Sequence, residues 1–222
     1  MPSAPAALFD LDDCLIDTAT AFDLYARWFA GAFGVPLEEV KAVNELHAGR
    51  HDFFADLKKR FTIESPITEL YADYCRRMPP LTPRRPEVWR MVRALSHAGW
   101  HLAVLSNGSP VVQRAKLRHS GLHRFFPAHC VVVSGEWGPR KPDRALFDIA
   151  LDALGVSTAV MVGDSLEDDV AGGAAAGLRT VWVANGHDLR PNDPRPDHVV
   201  QSVTEAGELL LATSDLLMPL PA

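Results

Sequence analysis

No stretch of this 222-residue chain approaches the roughly 20 apolar residues that cross a bilayer. Its first residues, MPSAPAALFDLDD, lack a basic segment ahead of an apolar core and meet acid by residue 10, so they do not read as a signal peptide. Cysteine is scarce. Cys14, Cys75 and Cys130 are odd in number and share no metal-like spacing, which argues against a disulfide framework. There is no long basic run, and 28 acidic against 22 basic side chains leave a formal net charge of −6. That balance is poor for a dedicated binder of nucleic acid or anionic membrane. Internal repeats and low-complexity segments are also missing. These absences point to a reduced, cytoplasmic protein with no membrane and no nucleic acid polymer among its partners. A small phosphorylated metabolite stays open, because a few local cations can hold one phosphate.

What is present is ordinary globular composition, 47% hydrophobic and 23% charged. The length suits one α/β domain, or a core with a small insertion. Short apolar runs at 6–11, 101–106, 130–134, 159–163 and 180–184 read as strands buried on both faces, as in a parallel sheet. Helical patterns near 85–98, 110–120, 142–154 and 167–176 alternate with them, each followed by a glycine (Gly99, Gly121, Gly155, Gly177) at a C-cap position. Alternation of this kind predicts a doubly wound α/β sheet. One region departs from it. Residues 19–82 are helical throughout, cut into about four helices by glycines and prolines, and read as an inserted all-helical cap. The core would then be 1–18 with 83–222.

In open α/β sheets, functional groups gather at the carboxyl ends of the strands. The first strand delivers Asp10 and Asp12, the second Ser106-Asn107-Gly108, the fourth Gly163 and Asp164, and Arg140-Lys141-Pro142 precedes a helix. Each has a bland reading when taken alone. Two acids two residues apart occur in many surface turns. Ser109 and a glycine turn could simply cap a helix that starts at Pro110, and Lys141 could be a solvated side chain. Taken together they suggest chemistry. Carboxylates converging from two strands repel unless a cation neutralises them, and a hard ion such as Mg²⁺ suits oxygen ligands. A hydroxyl and free N–H groups between strand and helix form a phosphate cradle. A lysine ahead of a helix opposes the helix dipole, so its charge serves something outside that helix. In VGDSLEDDVAGG, Asp164 and Asp169 could frame the cation, although Glu167, Asp168 and Asp169 also suit a helix N-terminus.

Four stretches in order, DLDDCLIDT, LSNGS, RKPD and VGDSLEDD, resemble the four motifs of the haloacid dehalogenase superfamily in its phosphatase branch. The match covers about 6–185, and the helical insert sits where that family carries its small cap. The resemblance implies a Rossmann-like core and a phosphoric monoester hydrolase that works through an aspartyl-phosphate. Asp10 would be the nucleophile and Asp12 the general acid and base. Ser106, Asn107, Gly108 and Lys141 would bind the phosphoryl group, and Asp10, the backbone carbonyl of Asp12, Asp164 and Asp169 would bind Mg²⁺. Asp169 is preferred to Asp168 because it directly precedes VAGG. Cys14 stands where the family usually has threonine, which removes a good hydrogen-bond donor from the loop.

Two other readings use the same residues. LSNGSP is also similar to the family's 2-haloacid dehalogenases, which direct the aspartate at carbon; Asp12 and the acidic fourth motif argue for phosphate. A non-catalytic phosphoacceptor domain would be compact, without a helical insert, and would lack an acid at the position of Asp12, whereas Cys14 keeps a degenerate, ligand-binding relative open. The cap would select the leaving group, with Arg27, His47, Arg50, His51 and Lys58 as polar candidates, while Trp28, Phe29, Phe33, Phe53 and Phe54 read as cap core. The apolar C-terminal segment LLLATSDLLMPLPA would cover the core or meet a second subunit, so a monomer and a homodimer are both compatible with the sequence.

Overall fold

The computed structural model describes residues 4–47 and 49–212. The greater part of the apolar C-terminal segment, from residue 213 onward, lies outside the described residues. The chain divides into two compact units, Asp17–Pro83 and the remainder on either side of it.

The Asp17–Pro83 unit consists of α1 (Thr18–Phe33), α2 (Leu37–Leu46), α3 (Arg50–Arg60) and α4 (Ile67–Leu81). It starts at Asp17 rather than residue 19 because the Asp17 carboxylate caps α1, accepting from Thr20 N at 2.8 Å. Gly34 ends that helix at φ 65°, in the left-handed region where a side chain would be strained. Pro79 and Pro80 do not break α4; they fall in its last turn. There the loss of two N–H donors affects only the helix end, which Thr82 closes through its N–H to Pro79 O (3.2 Å) and its hydroxyl to Met78 O (3.3 Å). Tyr25, Phe29, Phe53, Phe54 and Leu57 are fully buried together, with Trp28 and Phe33 packed at their edge. The Tyr25 and Tyr74 rings meet edge to face at 5.1 Å.

In the other unit, β1 (Ala6–Phe9), β2 (His101–Ser106), β3 (Val131–Val133), β4 (Val160–Gly163), β5 (Arg179–Val183) and β6 (His198–Val200) form one parallel sheet. Their order across it is β3-β2-β1-β4-β5-β6. The helices are α5 (Pro86–His97), α6 (Pro110–His119), the short α7 (Ser134–Trp137), α8 (Arg144–Leu154), α9 (Gly172–Ala175) and α10 (Val203–Ala212). Side chains alternate across the strands as the pleat requires. Ala7, Phe9, Leu102, Val104, Val160 and Val162 pack on one face with Val88, Val92 and Leu95 of α5 and Ala206 and Leu210 of α10. Ala6, Leu8, Ala103, Leu105 and Met161 face the opposite way, onto Leu146, Phe147 and Ala150 of α8. Burial of both faces explains why these strands are apolar runs without a polar alternation. The order reverses beside β1, so the crevice at the strand ends opens where β1, β2 and β4 terminate.

Two departures from the sequence pattern bear on the site. The helix expected over 167–176 is a π-helical segment, Leu166–Ala171, followed by the single turn of α9. The sixth strand and α10 lie beyond the last strand read from the sequence. β6 carries only three residues, too few to show a period.

Candidate active site

The end of β1 delivers Asp10, whose N–H continues the sheet by donating to Val162 O at 2.9 Å. Lys141 reaches it from the loop ahead of α8. Lys141 is 2% exposed, and its ammonium bridges two carboxylates, Asp10 Oδ1 at 2.5 Å and Asp169 Oδ1 at 2.6 Å. Its charge therefore serves a partner outside the helix that follows. Asp169 is held from the other side, where its Oδ2 accepts from Ser165 N at 3.0 Å. Gly163 makes this possible. A Cβ at Gly163 would run into the Asp169 carboxylate, so only glycine lets the acid fold back over the end of β4. Asp164 follows, its carbonyl fixed by the Trp182 indole N–H at 2.7 Å.

One oxygen from each of Asp10, Asp164 and Asp169 lies within 4.8 Å of the others. Burial, with Asp169 and Asp13 adding their repulsion, pushes the Asp164 carboxyl up to about 7. Burial also raises Asp10 well above the carboxylate range, against the pull of Lys141 and with the repulsion of Asp169 and Asp164. Burial disfavours the charge on Lys141, but Asp10 and Asp169 outweigh it and hold the ammonium above the usual lysine range. A single ammonium cannot neutralise three carboxylates. The excess negative charge, presented entirely by hard oxygen atoms, fits a divalent cation.

The Asp12 side chain stands outside this group of three. Its Oδ1 accepts from Lys116 Nζ at 2.7 Å and its Oδ2 from Gln113 Nε2 at 2.9 Å. Gln113 also donates to Ser106 Oγ at 2.7 Å, which ties the serine at the end of β2 to the second acid of the first motif. Lys116 and Gln113 are each 2% exposed and were not singled out from the sequence. A signal was there. On α6 they interrupt the buried stripe of Val112 and Leu117, and polar groups on a buried helix face need partners.

Asn107 uses its side chain as a clamp. Its Oδ1 accepts from Lys141 N (2.9 Å), and its Nδ2 donates to Lys141 O (3.1 Å) and to Asp168 Oδ2 (3.0 Å). The structure thus turns Asp168 toward Asn107 and Asp169 toward Lys141. Gly108, expected in the phosphate cradle, directs its N–H to Ser134 Oγ at 3.0 Å, because α7 packs against that loop. Ser109 precedes α6 without a side-chain cap bond. Cys14 is buried, with its sulfur 3.8 Å from Val162 O, and burial pushes its thiol up, so it is a packed filler rather than a thiolate. Asp13 occupies the left-handed region at φ 55° and its carbonyl accepts from Asn185, as a turn residue would.

Most polar candidates of the helical unit are committed within it. Arg27 pairs with Asp23 and His47 with Asp56. Arg50 donates to Asn44 and lies over the rings of Phe22, Phe53 and Tyr74, while Lys58 donates to the carbonyls of Ile63 and Ser65. His51 is exposed. Among the described residues no helix is long and apolar enough to cross a membrane.

A family model described as haloacid dehalogenase-like hydrolase matches residues 4–177. The chain is 44% identical over 127 residues to the phosphoserine phosphatase of Thermus thermophilus, covering 55% of this chain and 49% of that protein. It is 36% identical over 112 residues to a pyrimidine 5'-nucleotidase of Escherichia coli, covering 49% of each. It thus spans about half the length of these curated relatives. Among solved structures, a magnesium-bound HAD-hydrolase of Bacillus subtilis superposes with a TM-score of 0.79 at 23% identity, covering 94% of this chain and 99% of that one.

Proposed function

The chain belongs to the haloacid dehalogenase-like hydrolases, and from that membership we propose that it is a Mg²⁺-dependent phosphatase of small phosphomonoesters, with Asp10 as the nucleophile. The observation that carries this reading is the group of buried Asp10, Lys141 and Asp169 with half-buried Asp164, with Asp12 after the same strand as Asp10 and Ser106 at the end of the neighbouring one. The relatives named above, a phosphoserine phosphatase and a nucleotidase, support phosphate esters as the substrate class.

In this mechanism an Asp10 oxygen attacks phosphorus and the ester oxygen departs, leaving an aspartyl-phosphate. Protonated Asp12 gives its proton to the departing alkoxide. It then takes one from the water that attacks phosphorus, which releases phosphate and restores Asp10. Lys141 and Ser106 hold the phosphoryl oxygens, with the backbone N–H of Asn107 beside them. Asn107 keeps Lys141 aimed at Asp10 by bonding both its N–H and its carbonyl. Lys116 and Gln113 anchor the Asp12 carboxylate, and Asp12 serves as acid when it turns from them to the ester. Mg²⁺, held by Asp10, Asp164, Asp169 and the Asp12 carbonyl, would supply the positive charge that the phosphoryl oxygens and the nucleophile share.

The test is hydrolysis of 4-nitrophenyl phosphate. Turnover should require Mg²⁺, stop with EDTA, and be lost in Asp10→Asn. Metal-independent release of halide from 2-chloropropionate, with no phosphate release, would overturn the reading and assign the aspartate to carbon.

A further inference from the structure

A second pocket, of about 330 Å³, lies in the sheet-bearing unit and contains none of the catalytic residues. Its walls are the start of α5, from Arg84 to Trp89, and the end of α6 with the turn after it, from Arg118 to Arg124. Four of its lining side chains are arginines: Arg84, Arg85, Arg118 and Arg124. Segments 84–93 and 118–124 together contain six arginines and one acid, Glu87, in a chain of net charge −6. Such a concentration against the overall charge makes a strong local positive field.

The arginines are not equivalent. Arg85 is engaged, with Glu87 at 3.1 Å and the Cys14 carbonyl at 3.0 Å. Arg84, Arg118 and Arg124 make no ion pair or side-chain hydrogen bond among the described residues, and all three are exposed. Three unengaged guanidinium groups around one concavity repel one another, and an anion would relieve that repulsion. Guanidinium forks match phosphate oxygens in pairs, which favours a phosphate-rich ligand over a lone carboxylate. One wall is aromatic, since Trp89 lines the pocket with its ring 5.3 Å from Phe125. The volume suits a small molecule.

We infer that this pocket binds a small polyphosphate, a di- or triphosphate group carried free or on a nucleoside, at a site separate from the catalytic crevice. Three free arginines match the three or so negative charges of such a group, whereas orthophosphate carries only about two at neutral pH. Trp89 provides a surface on which a base can stack if the group is carried on a nucleoside.

The experiment is calorimetric titration of tripolyphosphate into the whole chain in EDTA, with a nucleoside triphosphate, orthophosphate and a single-stranded oligonucleotide as further arms. Expected is one tripolyphosphate per chain, bound more tightly than orthophosphate and weakened about tenfold or more in R118A/R124A. Both residues are exposed, and circular dichroism checks that the variant folds. Asp10→Asn should bind like the unaltered chain, so the result does not depend on the phosphatase reading. Equal affinity for tripolyphosphate and the nucleoside triphosphate identifies the bare group as the ligand. A preference for the nucleoside form that Trp89→Ala removes identifies a nucleotide. Unchanged affinity in R118A/R124A, loss of binding in Asp10→Asn, tighter binding of the oligonucleotide, or no binding would each overturn the proposal.

Discussion

Replacing Lys141 by methionine removes one positive charge while keeping most of the side chain's length and apolar stem. In the folded protein that charge lies 2.5 Å from Asp10 and 2.6 Å from Asp169, with both acids almost wholly shielded from water. Removing one partner of a buried ion pair costs about 3–5 kcal/mol, because the charge left behind is neither solvated nor paired. The variant has one escape, which is to bind a proton where the lysine had been. Its folded state would then hold more protons than its unfolded state, so its stability falls as pH rises above the ordinary carboxylate range. The loss should be greatest in EDTA near pH 8 and shrink by up to about 1.4 kcal/mol per pH unit for each proton taken up. With a urea m-value of about 2 kcal/mol per molar, the midpoint should drop by about 2 M near pH 8. Tryptophan fluorescence reads the transition, since Trp100 and Trp182 are buried in the same unit. Mg²⁺ should recover part of the loss. An unchanged midpoint in EDTA, or a loss that does not vary with pH, would refute the claim that Lys141 is the counter-charge of this cluster.

Three further outcomes follow from the same geometry. Lys116→Met should lower kcat on alkyl phosphates about 10- to 100-fold and much less on 4-nitrophenyl phosphate, whose leaving group needs little protonation; equal losses would show that Lys116 does not act through Asp12. The Asp164 carboxyl sits at about 7 in the fold against an ordinary 3.8. Metal-free stability should therefore fall as pH rises from about 4 to about 7, while the rise in Tm given by Mg²⁺ grows over the same window; thermal melts with EDTA and with Mg²⁺ measure both. Gly163→Ala pushes a methyl group into the Asp169 carboxylate. It should cost about 1–3 kcal/mol in urea unfolding and abolish turnover, a larger effect than the stability loss alone explains.

Most of the sheet was legible because β1 to β5 are buried on both faces. A continuous Val- and Leu-rich run such as HLAVLS leaves little choice of element. β6 was not legible, since HVV is three residues long and its central Val199 is exposed. In the site, Asp10, Lys141 and Asp164 could be picked out by motif spacing, yet their contacts could not. The need for glycine at 163 is set by the Asp169 carboxylate lying over it, which no local pattern shows. Gln113 and Lys116 were missed because a helix ordinarily carries such side chains toward water. Only the packing of α6 shows that these two face Asp12 and Ser106.

The order of apolar runs and helical stretches determined by itself an α/β sheet with a helical insertion. The four motifs in series determined which family's chemistry to expect. Both are local properties, because strand burial and turn geometry are written within a few neighbouring residues. The tertiary structure alone decided the strand order, the contacts of Asp169 with Lys141 and of Asp168 with Asn107, the anchoring of Asp12 by Lys116, and the gathering of four arginines around one pocket. Each of these joins residues far apart along the chain, 104 positions for Asp12 and Lys116. Charge and hydrogen-bond energies depend on distance and burial in space, which a linear spacing does not contain.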